Sequence, residues 1–114
     1  LGLALGTGTA IELDDKTCPV AMSRNLQMFY ARESCGWCTP CREGLPWVEK
    51  VLESIENGEG QEGDIEWLEE QVRFIGPNTY CAFAAGACFP LGSALKVFRD
   101  DFEEHIREKK CRYI

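Results

Sequence analysis

The stretch "ESCGWCTPCREGLPWVEKVLESIE" spans residues 33–56. Its first half carries Cys35, Cys38 and Cys41 at strict three-residue intervals, with Gly36, Pro40 and Gly44 among them. Its second half places Val48, Val51, Leu52 and Ile55 at the spacing of a helix that buries one face. A helix therefore opens around Cys41, directly out of a cysteine loop. That junction sets the fold class: amphipathic helices with thiols presented at a helix start.

The flanking sequence extends the same pattern. Thr17 can cap a helix that runs from Pro19 to near Ser34, with Met22, Leu26, Phe29 and Tyr30 on its inner face. The glycine-rich "NGEGQEGD" (57–64) stops the central helix. Asp64 can cap a third helix bearing Ile65, Leu68, Val72 and Ile75, which "GPN" (76–78) ends. A Gly/Ala-rich loop holding Cys81 and Cys88 follows, and Pro90 starts a last helix with Leu91, Leu95, Phe98, Phe102 and Ile106 inward. Four such helices on short connections predict an all-α four-helix bundle. "LGLALGTGTAIELDD" (1–15) reads as a turn and a strand, so residues 1–16 are expected to end a preceding β-rich domain and 17–114 to form the helical domain.

The 114 residues suit one domain with one modest core. The chain begins at Leu1, as expected of a processed chain or a fragment, so the lack of a signal peptide there is uninformative. The net charge is −7, and between Glu49 and Glu70 nine carboxylates meet only Lys50. That balance argues against nucleic acid or an anionic membrane surface as partner, because both demand clustered Lys and Arg. The longest uncharged stretch, Phe74 to Leu95, is broken by Gly76, Pro77, Gly86, Pro90 and Gly92, so no direct membrane insertion is expected. His105, the only histidine, sits among charges and reads as a surface residue. One such histidine cannot serve a cysteine nucleophile, and no catalytic residue is expected in the chain. Trp47 and Trp67 read as packing residues.

Seven cysteines in odd number, three of them crowded together, do not suit a disulfide framework. They suit thiolates held for metal in a reducing compartment. An iron–sulfur cube offers four iron corners, each wanting one soft anionic sulfur. Ligands at i, i+3 and i+6 let one loop take three corners. Gly36 allows close backbone approach, Pro40 leads into Cys41 at a helix start, and Arg42 adds positive charge beside it. Trp37 reads equally as a shield from water or as a core aromatic. Bacterial ferredoxins place a fourth cysteine soon after the third, whereas here Cys41 is followed by "REGLPWVEK". The fourth ligand is therefore remote. Cys18 reads as a core residue and Cys111 as a bystander, and spacing does not choose between Cys81 and Cys88.

"ESCGWCTPCREG", followed by "GPNTYCAFAAGACFPLGSALKVFRDDFEE" (76–104), resembles the C-terminal domain of one subunit of bacterial respiratory complex I. That subunit is the flavin-binding, NADH-oxidising one of NADH:quinone oxidoreductase. The resemblance runs from Thr17 onward. It implies that the cysteine of "TYCA", Cys81, joins Cys35, Cys38 and Cys41 around one [4Fe–4S] cluster, and that Cys88 is a buried thiol. It also implies an electron-transfer role, with electrons taken one at a time from FMN and passed to the next iron–sulfur centre. FMN and NADH would bind in an upstream region absent from this chain. The partners implied are the thioredoxin-like [2Fe–2S] subunit and the large multi-cluster subunit, in a peripheral arm on the cytoplasmic side of the inner membrane. Two other readings compete. One is the diaphorase subunit of an NAD-linked hydrogenase or formate dehydrogenase. The other is a structural zinc module using Cys35, Cys38, Cys81 and Cys88, with Cys41 spare.

Overall fold

The computed structural model describes residues 10–113, and among these it is all-α. Five helices are present: α1 (Pro19–Glu33), α2 (Thr39–Glu56), α3 (Asp64–Ile75), α4 (Ala82–Val97) and α5 (Arg99–Glu108). A single 3₁₀ turn, Gly76–Asn78, follows α3. The expected strand within 1–15 falls mostly outside the described residues, and residues 10–15 form none. Among the described residues no helix is long and apolar enough to cross a membrane.

α2 is the organising element. It buries Cys41, Leu45, Val48, Leu52 and Ile55 along one stripe, as the sequence spacing predicts. It packs against α1, α3 and α5, while α4 lies against α1 and α3. Ile65, Leu68 and Ile75 of α3 and Leu91, Leu95 and Phe102 of α4 and α5 fill the space between. A part-buried polar link crosses the α1–α2 seam, where the Arg24 guanidinium donates to the Glu49 carboxylate at 3.1 Å.

Four expectations need correcting. The last helix is two helices and begins earlier than Pro90. Residues 82–89 are mostly small or apolar and already helical, and Pro90 forfeits only its own N–H bond within the run. The break comes at Phe98, whose backbone leaves the helical region (φ −109°, ψ 28°) while its amide still bonds Ala94 O at 2.8 Å. Asp100 and Asp101 then supply negative charge at the start of α5.

The caps of α1 and α3 each shift by one residue. Cys18, not Thr17, caps α1, because the Thr17 hydroxyl is occupied by Asp14 at 2.6 Å. Gly63 in a left-handed conformation (φ 96°) precedes α3, and the Asp64 carboxylate accepts the Gln61 amide at 2.8 Å. On α1 the buried stripe is Val20, Ser23 and Gln27, while Phe29 is exposed. The Gln27 amide donates to Ala87 O at 2.7 Å, so α1 meets the small-residue face of α4 with a polar tether. Finally, His105 is buried with 1% of its surface exposed, not on the surface.

Phe102 is fully buried where α5 joins the core. Phe102→Ala is expected to cost about 3–5 kcal/mol of unfolding free energy, measured by urea titration. A loss within about 0.5 kcal/mol, the scale of surface substitutions, would contradict this packing.

Candidate metal centre

Three of the four sequence-predicted thiols sit where α1 hands over to α2. Cys38 occupies the N-cap of α2 in extended conformation (φ −94°, ψ 129°), Thr39 and Pro40 form its first two positions, and Cys41 the third. No side chain caps the first-turn amides of this helix. Unbonded amides and the positive end of the helix dipole therefore face the thiol loop. Cys35 is exposed and Cys41 is buried.

The loop between them is tightly specified. Gly36 adopts φ +82°, which a side chain would strain. Its amide donates to Ser34 Oγ at 3.2 Å, and that hydroxyl lies 3.1 Å from Cys41 Sγ. Arg42 Nη1 donates to Gly36 O at 2.9 Å, so the cation expected beside the thiols also clamps the turn that bears them.

A second helix start meets the first. Cys81 is the N-cap of α4 (φ −114°, ψ 170°), again with no side-chain cap, and its neighbour Tyr80 donates its amide to Cys38 Sγ at 3.3 Å. A contact one turn beyond Cys41 explains the approach. A Cβ on Gly44 would lie 2.8 Å from Ile75 Cδ1, so glycine there gives the Ile75 side chain room to pack against α2. The chain then turns through Gly76–Asn78, held by Asn78 Nδ2 to Phe74 O (2.7 Å) and Thr79 Oγ1 to Gly76 O (2.9 Å). Cys81 follows directly on Tyr80, whose amide meets Cys38 Sγ. Soft donors gathered at two uncapped helix starts suit a negatively charged metal–sulfur group.

Cys88 is placed differently from the loop position expected. It lies inside α4, about 10 Å along the axis from Cys81 at 1.5 Å per residue. Burial raises its thiol pKa to about 11, with the nearby Cys41 adding to the rise. A zinc set that uses Cys88 and spares Cys41 would have to reach into the core past the helix start. Trp37 is 77% exposed, which removes the core reading of that residue. Trp47 and Trp67 pair at 5.0 Å between centroids, with Trp67 packed on the core and Trp47 at the rim. At the far end of the bundle Cys18, Glu56, His105 and Cys111 converge, a group that sequence spacing did not connect.

Residues 21–105 match the family described as the NADH-ubiquinone oxidoreductase-F iron-sulfur binding region. The chain is 56% identical over 108 residues to the F subunit of NADH-quinone oxidoreductase from Escherichia coli (strain K12), covering 94% of this chain and 24% of that protein. It is 47% identical to an F-type subunit of the same enzyme, numbered 2, from Rhizobium meliloti (strain 1021), covering 98% and 27%. It is 42% identical to the corresponding F-type protein of Streptomyces coelicolor, covering 98% and 25%. The chain thus spans about a quarter of the curated relatives it matches.

Burial and exposure order the thiols by reactivity. In metal-free, reduced protein, alkylation is expected to label exposed Cys35 and Cys81 well before buried Cys88, with the Cys88 rate still climbing as pH approaches about 11. Mass spectrometry of timed samples checks this order. Labelling of Cys88 as fast as Cys35 at pH 8 would contradict its place in α4.

Proposed function

This chain belongs to the NADH-ubiquinone oxidoreductase-F iron-sulfur binding family, and from that premise we propose that it is the electron-relay domain of an NADH-oxidising subunit. In this reading Cys35, Cys38, Cys41 and Cys81 hold one [4Fe–4S] cluster. The domain takes electrons one at a time from FMN and hands them to the next iron–sulfur centre in a neighbouring subunit. NADH and FMN bind in parts of the protein outside this chain. The neighbours are a thioredoxin-like [2Fe–2S] subunit and a large multi-cluster subunit, assembled in a peripheral arm on the cytoplasmic side of the membrane.

The observation that carries the ligand set is the Tyr80 amide on Cys38 Sγ, which joins two segments 42 residues apart at one edge of the bundle. A [4Fe–4S] cluster, when bound, supplies reversible one-electron chemistry. The chain supplies everything around it. Four thiolates from two helix starts provide anionic sulfur. The first-turn amides of α2 and α4 face that negative charge and favour keeping it. Arg42 contributes a positive charge while holding Gly36 in its turn. Cys41 and the core beneath it exclude water from one side, while exposed Trp37 and Tyr80 flank the open side where a partner would approach.

The ligand set is tested by two single substitutions. Cys81→Ser is expected to lower iron from about four atoms per chain or abolish it, and to lose the cluster's electron paramagnetic resonance signal. Cys88→Ser is expected to keep both. The opposite pattern would refute the assignment of Cys81.

A further inference from the structure

Four side chains with strong metal-binding chemistry meet at the end of the bundle away from Cys35. Cys18 caps the start of α1, Glu56 is the last residue of α2, His105 lies on α5, and Cys111 follows α5. Their donor atoms all lie within 4.8 Å of one another. Three are buried, His105 fully so, and the Glu56 side chain keeps 16% of its exposure. α1 and α2 separate this group from the cysteine loop by about 22 and 27 Å of helix, taking 15 and 18 residues at 1.5 Å each. The two sites share no residue.

The distances have the size of a small coordination polyhedron. Cys18 Sγ is 3.1 Å from Glu56 Oε2 and 3.3 Å from His105 Nε2, and His105 Nε2 is 3.3 Å from Glu56 Oε2. Zinc bonds of 2.0–2.3 Å in a tetrahedron give ligand-to-ligand edges of about 3.3–3.8 Å, so these three atoms sit at or just inside that spacing and Cys111 lies within 4.8 Å of them. The tautomer of His105 also fits. Its Nδ1 lies 2.7 Å from the carbonyl oxygen of Asp101, which requires a proton on Nδ1. In the neutral ring Nε2 then carries its lone pair toward Glu56 and Cys18, the arrangement found where a histidine binds metal through Nε2 and is oriented by a backbone carbonyl. A bare imidazole nitrogen and a carboxylate oxygen 3.3 Å apart are two acceptors facing each other. They need a positive charge between them: a proton on Nε2, or a cation.

We propose that Cys18, Glu56, His105 and Cys111 form a structural zinc site, separate from the iron–sulfur ligands. Two thiols, an imidazole and a carboxylate match the mixed soft and borderline donors that zinc accepts in tetrahedral sites. Binding releases the two thiol protons to solvent and leaves the ion fully ligated by protein, with no open position for substrate. The ion ties together the start of α1, the end of α2, α5 and the segment beyond it, so metal and folding are coupled at this end of the domain.

The test uses the full-length protein that carries this chain, purified without oxygen, exposed to Zn²⁺ and cleared of loosely held ion with a weak chelator. One zinc per chain is expected in addition to iron. Zinc-edge X-ray absorption is expected to show two sulfur and two nitrogen or oxygen neighbours. The double variant Cys18→Ser/Cys111→Ser should lose the zinc and keep its iron, while Cys35→Ser should lose iron and keep its zinc. Protein that retains no zinc, zinc surrounded by four sulfurs, or zinc undiminished in the double variant would each overturn the proposal. If the double variant loses iron as well, through misfolding, the wild-type absorption spectrum decides alone. The Cys35→Ser result keeps this outcome distinct from any failure of the iron–sulfur reading.

Discussion

Sulfur anions crowded together repel one another, and a protein that gathers them must supply positive potential at the same place. Here that potential comes from backbone. The starts of α2 and α4 meet at one edge of the bundle, each with an extended cysteine at its N-cap and no side chain bonding the amides behind it. A side-chain oxygen at either cap would consume those donors. The helix dipoles and free amides are thus left to face the thiols, with Arg42 adding a full positive charge at the loop.

The core makes the meeting possible. Gly44 removes the Cβ that would keep Ile75 away from α2, and Gly76 lies so near Ala85 that a Cβ would sit 3.3 Å from its Cα. These two close approaches bring the end of α3 against α2 and fold the chain back into α4. Leu45, Leu52, Ile55, Leu68 and Leu95 then close the interior. α2 connects both ends of the molecule: its first turn carries Cys38 and Cys41, and its last residue, Glu56, joins Cys18, His105 and Cys111.

Much of this was legible from spacing. The stripes of α2 and α3 follow the 3.6-residue period because each of these helices buries one strongly apolar face. α1 misled because Phe29 faces out and Met22, Leu26 and Tyr30 are only partly buried, while Val20, Ser23 and Gln27 face in. A small-residue partner, α4, admits short side chains and a polar tether in place of bulk. The run "AFAAGACF" reads as a flexible loop by composition, yet alanine is a strong helix former and the run is the first half of α4. That error placed Cys88 in a loop. His105 looked solvated because its neighbours in sequence are charged, although Phe102, three residues earlier on the same helix face, marks the inward side. Its contact with Cys18 spans 87 residues, beyond any local pattern. The triple-cysteine loop was visible because its three thiols are adjacent in sequence. The remote cysteine at the start of α4 required either the fold or a family resemblance.

The central claim is that two uncapped helix starts jointly hold a four-iron cluster. Parallel assay of iron and acid-labile sulfide on protein purified without oxygen tests it most directly. The account predicts about four of each per chain, with a brown protein and a one-electron paramagnetic signal on reduction. Protein carrying zinc in place of iron at these cysteines, or iron without sulfide, would contradict it.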